Sequence, residues 1–401
     1  MPIDKPVIIA GAGPVGCTAA LRLAQAGIPV MLLEALEALP QTLRASTFHP
    51  PSLDMIEQLG LIEPLKEQGL VCRYYQYRDR RTGEIAEFDL DVLREDTRHP
   101  YRLQAEQWKY TRLVWDELQA KYPHAECRFN ASVKGLHQTT TGVEVLVWEN
   151  GVEKILEGSF VVACEGADSA LRKAAAIPFD GFTYPERFLV ASTPFPLETK
   201  FHRLALVNYI SDPEEWLVLL RTPSLWRVLI PTDPAIDNDA LWLSDQWIQQ
   251  RLHHMAPHDT DYEIIHRTVY RVHQRVARTY RRSRLLLAGD AAHINNPLGG
   301  MGMNGGIHDA WNLAGKLIEI SAGGDPSSLL DRYDRQRREI CVRFVQEHTI
   351  RNKKLMESKD PEIQRRRQED YMRQAADPVL AREFLRKTSM IQSLRDEATI
   401  V

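Results

Sequence analysis

Residues 7–34 read VIIAGAGPVGCTAALRLAQAGIPVMLLE, and this stretch decides the fold. Val7 to Ala10 is a short apolar run that reads as a buried strand. Gly11, Gly13 and Gly16 then fill a G-x-G-x-x-G frame. Cys17 to Ala26 carries apolar residues at helical spacing and ends at Gly27. Val30 to Leu33 is a second buried strand, closed by Glu34. The glycines therefore sit inside a complete β-α-β unit, the context that gives the pattern its meaning. Gly11 permits the tight turn, Gly13 lets a pyrophosphate approach the backbone, and Gly16 lets helix and strand pack closely. The helix N-terminus offers free N–H groups and the positive end of its dipole to phosphates. A carboxylate at Glu34 can accept hydrogen bonds from an adenosine ribose and would repel a 2′-phosphate, so the unit suits FAD or NAD better than NADP.

The chain has 401 residues, enough for two or three domains or one large α/β domain with an insertion. Its 50 basic and 54 acidic residues leave a net charge of −4, so no long-range attraction to nucleic acid is expected. No run of eighteen apolar residues occurs, and no membrane span is expected. The N-terminus enters the first strand at once, leaving no room for a signal peptide. Cys17, Cys72, Cys127, Cys164 and Cys341 are scattered without a C-x-x-C pair. That pattern argues against a metal site or disulfide framework and fits a reducing cytoplasm.

Beyond Glu34, a polar loop carrying Arg44 leads to His49-Pro50-Pro51 and a helix from Ser52 to Gly60 with Ser52 as its N-cap. Arg44 is a permanently charged fork suited to a pyrophosphate. Residues 71–90 alternate as a hairpin around Arg80-Arg81-Thr82-Gly83. Tyr101 to Glu106, including Gln104, leads into a helix over 107–122. Residues 132–164 form a β-meander with an Asn150-Gly151 turn, then a buried strand from Phe160 to Cys164. Glu165, Gly166, Ser169 and Arg172 follow at a turn and helix start, with Ser169 as its cap. From 178 to 275 strand-like segments separated by polar turns (Phe188–Thr193, Arg203–Ile210, Trp216–Arg221, Trp226–Ile230, Thr268–Val276) indicate an inserted antiparallel sheet. A buried strand then ends at Gly289-Asp290. Five glycines between Gly299 and Gly306 precede a helix expected over Ile307–Leu317, which would let bare backbone N–H groups approach a ligand. The chain after Ser327 is charged and helical, with breaks at Pro361 and Pro378. Arg365 to Arg373 reads as a solvated helix face. This tail fits either a homodimer interface or a solvated surface.

Three separated segments coincide: Gly11 to Gly16 with Glu34, Glu165-Gly166 with Arg172, and Gly289-Asp290 with its glycine-rich sequel. Together and in this order they resemble the single-component flavoprotein aromatic hydroxylases, the para-hydroxybenzoate hydroxylase-like FAD monooxygenases, over about residues 5–330. The resemblance implies a Rossmann-like α/β FAD-binding domain (1–177, with a substrate-side segment at about 71–100, resuming at 276–330), an inserted antiparallel substrate sheet (178–275) and a C-terminal helical segment (331–401). It assigns FAD contacts to Gly11, Gly13, Pro14, Val15, Gly16, Glu34, Ala35, Arg44, Gln104, Asp290, Pro297, Gly300, Gly302, Met303 and Asn304. Glu165, Gly166 and Arg172 occupy the element linked to the nicotinamide donor. Glu165 stands where the family has Asp, which leaves NADH against NADPH open. The implied reaction is hydroxylation of a phenolic or N-heteroaromatic ring. NADH or NADPH supplies the electrons, O2 supplies the oxygen, and a flavin C4a-hydroperoxide transfers it. His49, Tyr209, Arg221 and Pro297 are the substrate-pocket candidates, with Trp226 on the same inserted sheet.

Other readings are a flavin-dependent halogenase, another FAD oxidoreductase, an NAD-dependent dehydrogenase and a non-catalytic FAD-binding protein. Trp226-Arg227-Val228-Leu229-Ile230-Pro231 resembles the halogenase W-x-W-x-I-P motif, but Val228 replaces its second tryptophan. No lysine lies between Lys66 and Lys109, where a halogenase carries one. A dehydrogenase leaves the Gly-Asp segment unexplained.

Overall fold

The computed structural model describes residues 3–212, 215–356, 358 and 360–401. Its first sheet has six strands in the order Arg281–Arg282, Leu285–Leu287, Phe160–Ala163, Val7–Ala10, Val30–Leu33 and Ala125–Arg128. The five strands from Leu285–Leu287 to Ala125–Arg128 are parallel neighbours, with Val7 paired to Val30 on one side and to Phe160 on the other. The inner four read as unbroken apolar runs because both faces are covered, one by helices and the other by the meander at 131–158, whose Val133, Val143, Val145 and Val147 join the same core. Val7 to Ala10, Val30 to Leu33 and Phe160 to Ala163 are accordingly buried throughout. The helix Pro14–Gln25 follows the first strand and packs against the long helix Met301–Ser321. The meander at 131–158 is a separate three-stranded sheet, turned by Asn150 and Gly151 at positive φ.

An eight-stranded sheet lies beside this layer in the order 293–294, 266–277, 179–193, 226–231, 217–221, 207–211, 74–79 and 83–89. The hairpin at 74–89 joins it by parallel pairing of Tyr77 with Tyr209, far apart in sequence. Side chains alternate across a strand, so the sheet has two unlike faces. One carries Tyr75, Phe88, Phe188, Tyr209 and Val218, packed with Leu298 and Met356. The other carries Leu189, Leu219, Trp226 and Val228, covered by the helix Asp245–Met255.

Several local expectations need correcting. The second helix begins at Pro50 with His49 at its N-cap, so Ser52 lies inside it and contacts the His308 ring at 3.1 Å. Two prolines with φ already fixed suit a helix's first turn, which moves the start back. The strand expected over Arg203–Ile210 runs Val207–Ser211, with Arg203 at positive φ. The long helix starts at Met301 rather than Ile307. Only Gly299 and Gly300 form the turn, at φ +98° and +66°. Gly305 and Gly306 are helical and small for packing, because a Cβ on Gly306 would stand 3.0 Å from Gly289 Cα. On the helix Pro361–Ala376, Arg365, Arg366 and Arg373 are solvated, but Arg367 is buried and donates to the Leu355 carbonyl.

Among the described residues, no helix is long and apolar enough to cross a membrane, and no group of three or more His, Cys, Asp or Glu could hold a metal.

Candidate active site

The glycine turn divides its labour. A Cβ on Gly11 would stand 2.4 Å from the Cys164 carbonyl oxygen, and one on Gly16 would stand 2.0 Å from the Gly11 oxygen. Both positions are closed by the protein's own backbone. A Cβ on Gly13 would meet nothing within 4 Å. Gly13 is also the N-cap of the first helix, with Pro14 at its first position and no side chain capping the free N–H groups. Pro14 and Gly16 are buried and Val15 is half-buried, its methyls packed against Gly289 and Gly306. Open space over bare helix-terminal N–H groups is what a pyrophosphate needs. Glu34 faces this turn, its carboxylate accepting the Ala12 amide at 3.1 Å and the Leu36 amide at 3.0 Å, while Ala35 is exposed.

Asp290 lies across the cleft on a turn whose Gly289 adopts φ +63°. Its side chain is exposed, yet enough protein surrounds it for desolvation to raise its pKa, with His293 and Arg44 pulling the other way. Its carboxylate is thus open to solvent on one side and crowded by protein on the others. Arg44 is exposed on the loop that borders it.

The glycine-rich run is clamped to the 47–49 segment. His49 N–H donates to Asn304 Oδ1 at 2.8 Å, and Asn304 Nδ2 donates to the Thr47 carbonyl at 2.9 Å and the Gly300 carbonyl at 2.7 Å. The His49 ring meets the Gly299 carbonyl at 2.8 Å through Nε2, so that nitrogen carries the proton and Nδ1 is left buried without a partner. Burial and the nearby Arg102 charge hold the His49 pKa well below the usual histidine value. His49 is therefore neutral and a poor base. Gly302 and Met303 are half-buried in the helix's first turn, which again lacks a side-chain cap.

The strand Arg102–Gln104 carries the unexpected part of the site. It is fully buried, and residues two apart share one side. Gln104 Oε1 accepts the Thr47 hydroxyl at 3.0 Å, but Gln104 Nε2 has no partner. Arg102 is 2% exposed, and its Nε and Nη1 also lack partners. A buried N–H without an acceptor costs about 1–3 kcal/mol, more when charged, and this face offers three such atoms to a ligand or water. Arg102 lies 4.3 Å from the Tyr75 ring centroid, with Tyr209 near enough to favour its charge. Burial opposes its charge, but Tyr209, Tyr75 and Cys72 outweigh that and its pKa lies above normal. Tyr209 stacks on Tyr77 at 5.2 Å, and Tyr77 on Tyr371 at 3.9 Å. Half-buried Pro297 precedes Leu298, through which the glycine-rich run joins this aromatic face. The cradle and the aromatic chamber thus abut. The open Gly13 position, the uncapped helix ends and the unpartnered Gln104 Nε2 all fit FAD.

Residues 4–348 match the family model described as FAD binding domain. The chain is 33% identical over 389 residues to para-nitrophenol 4-monooxygenase of Pseudomonas sp. (strain WBC-3), covering 94% of each. It is 31% identical to 6-hydroxy-3-succinoylpyridine 3-monooxygenase of Pseudomonas putida (strain DSM 28022 / S16), over 86% of this chain and 87% of that one. The crystal structure of p-nitrophenol 4-monooxygenase from Pseudomonas putida DLL-E4 superposes with a TM-score of 0.91 at 30% identity, covering 98% of this chain and 99% of that one. The chain belongs to the FAD-dependent aromatic monooxygenases.

In this monooxygenase some sequence-derived candidates fall outside the chamber. Arg221 and Trp226 lie on the other face of the eight-stranded sheet. Trp226 is in the cluster under the helix Asp245–Met255 and donates its indole N–H to Glu198 at 2.5 Å, with Arg221 beside its ring. Period-two alternation decides this, because Tyr209 and Val218 point one way and Leu219 and Arg221 the other. Ser169 is the N-cap of the helix Ala170–Ala174, its hydroxyl accepting the Arg172 amide at 3.1 Å, and Glu165 supports it by accepting the Ser169 hydroxyl at 2.6 Å and two backbone amides. Arg172 is 4% exposed and donates to the Ala291 and Ala167 carbonyls at 3.0 and 2.7 Å, which commits its fork internally. Gly166 turns at φ +87° with open space about it. Sequence reading missed Arg102, whose one signal was its i, i+2 relation to Gln104. It also missed Arg227, which donates to Ser46 Oγ at 3.2 Å and the Leu43 carbonyl at 2.7 Å and ties the inserted sheet to the Arg44 loop.

Proposed function

We propose that this monooxygenase takes a ring bearing an acidic hydroxyl, a phenol or hydroxypyridine, and oxygenates the carbon para to it. Arg102 carries the reading, as a buried cation with two unpartnered N–H groups on the aromatic face beside the glycine-rich run. A guanidinium at short range favours the ionised form of a hydroxyl, and a phenolate oxygen raises electron density at the para carbon. Fixing that oxygen at Arg102 also fixes which carbon faces the cofactor. Tyr75 and Tyr209 supply flat walls and Pro297 and Leu298 the edge of the chamber. Bound FAD would pass electrons from NADH or NADPH to O2 and deliver one oxygen atom to the ring. The cradle contacts fall to Gly13, Glu34, Arg44, Gln104, Asp290 and the 300–304 turn. His49 holds that turn in place rather than accepting the phenol proton.

The names of the relatives support the para assignment. In para-nitrophenol 4-monooxygenase and 6-hydroxy-3-succinoylpyridine 3-monooxygenase, the numbered position bears the nitro or acyl substituent and lies opposite the hydroxyl. For 4-nitrophenol the balanced outcome is one NAD(P)H and one O2 consumed, with p-benzoquinone, nitrite and water formed. The test is oxidation of NADH and NADPH by the FAD-loaded protein with 4-nitrophenol, 6-hydroxynicotinate and phenol. Faster oxidation with equimolar nitrite from 4-nitrophenol supports the reading. Oxidation that no hydroxylated ring accelerates would sink it. All five cysteines are free thiols, which favours a reducing cytoplasm as the setting.

A further inference from the structure

A buried chain of charges runs from the Gly289–Asp290 turn to the last helix, Ile391–Thr399. Asp309 has no exposed surface. One of its oxygens accepts the Gly289 amide at 3.0 Å and the His293 ring at 2.8 Å, and the other accepts Arg337 Nε at 2.6 Å. Arg337 is 1% exposed, and its fork divides. Nη2 donates to the Gly305 carbonyl at 3.2 Å, and Nη1 pairs with Glu397. Asn312 donates to the same Glu397 carboxylate, and Gln336 donates to the carbonyls of Glu397 and Ile400 at 3.1 and 2.8 Å. Replacing a buried ion pair with packed apolar groups is often neutral, whereas removing one partner is strongly destabilising. Such a chain fixes geometry more than it adds stability.

A second feature acts on the same segment. The helical run that begins at Pro326 changes to π winding at Cys341–Gln346, a local insertion frequent at functional sites. There Cys341 lies against the His293 ring, and Gln346 donates to the Ile294 carbonyl at 3.2 Å. Residues 289–294 are thus held at both ends, and Asp290 is the exposed residue of that segment.

We infer that the last helix is part of the cofactor-holding machinery, with Glu397, through Arg337 and Asp309, fixing the Gly289 amide and so the direction of Asp290. Arg337 and Glu397 are positioning residues, and the inference rests on the FAD cradle described above. Arg395 is the internal control. It sits on the same helix but pairs with Asp96 at 2.6 Å, on the substrate side and outside the ion chain.

The test titrates full-length apoprotein with FAD by flavin fluorescence and records the apoprotein's thermal midpoint. Glu397→Gln is expected to raise the FAD Kd by about tenfold, the scale of one charge-assisted hydrogen bond. Glu397→Asp is expected to restore most of the affinity, and Arg395→Gln to leave it within about twofold. A lowered midpoint with unchanged Kd in Glu397→Gln would overturn the inference. So would an equal loss in Arg395→Gln, which would mark general loosening of the helix. A wild-type protein that binds no FAD would instead remove the cradle reading itself, before any substitution is made.

Discussion

The cofactor cradle and the ring chamber meet at Leu298, yet they are built from different material. The cradle is backbone, made of two glycines closed by main-chain atoms, a third left open, and two helix ends without side-chain caps. The chamber is side chains, made of tyrosines on one sheet face and an arginine fork whose Nε and Nη1 have no protein acceptor. Backbone recognition needs particular residue types at fixed spacing. Side-chain recognition needs only that the right group arrive from any element. Substitutions in the cradle should therefore divide by where a Cβ goes, and those in the chamber by which face of the sheet they occupy.

The sharpest division lies within the glycine turn. Gly16→Ala would place a Cβ 2.0 Å from the Gly11 oxygen. It is expected to abolish FAD retention and to lower the apoprotein's thermal midpoint by several degrees. Gly13→Ala is expected to leave that midpoint near wild type while weakening FAD at least tenfold, because its Cβ enters only the space a ligand would fill. Absorbance of the purified proteins and apoprotein melting separate the two. Equal melting losses would break the comparison.

Next in size is Arg102→Met. Losing a charge-assisted contact worth about 1.5–3 kcal/mol corresponds to roughly 10–100-fold. The loss is expected in the KM for 4-nitrophenol, with FAD affinity little changed, and steady-state kinetics would show it. A fall in FAD affinity without a rise in KM would move Arg102 from the chamber to the cradle.

His293 gives a smaller, pH-dependent effect under the cradle. Burial disfavours its charge, but Cys341 and Asp309 outweigh that and raise its pKa well above the ordinary 6.5. A raised pKa contributes its full stability below 6.5 and loses it as pH rises through the folded-state value. The midpoint difference between wild type and His293→Gln should be largest below about pH 6.5 and shrink only at pH well above it. A gap that widens with pH would contradict the assignment.

The smallest effects belong to the other face of the sheet. Arg221→Gln is expected to leave KM within about twofold, and Trp226→Phe to cost about 1 kcal/mol of stability through the lost Glu198 bond, without altering substrate selectivity. A large KM change in Arg221→Gln would mean that this face also meets the ring.

What could be read from the sequence follows the same division. Gly11, Gly13, Gly16 and Glu34 announce the first sheet because apolar runs, a glycine frame and a closing carboxylate occupy one short stretch. The Gly289-Asp290 turn could be read for the same reason. The glycines at 299–306 read as one bare stretch before a helix, and only the approach of Gly306 to Gly289 shows that Gly305 and Gly306 serve helix packing instead. Tyr209 and Arg221 looked alike in sequence, because facing direction depends on register, and only the pairing of Tyr209 with Val218 puts Arg221 on the opposite face. Arg102 left almost no trace. Its meaning lies in what its N–H groups lack, and that appears only once every neighbour is in place.

The most direct test of the account supplies FAD-loaded protein with 4-nitrophenol, the preferred nicotinamide donor and 18O2, and traps the product with ascorbate as hydroquinone. The account predicts one 18O atom in each hydroquinone, with nitrite released in equal amount. Donor oxidation that yields only hydrogen peroxide, or a product whose new oxygen comes from water, would contradict it.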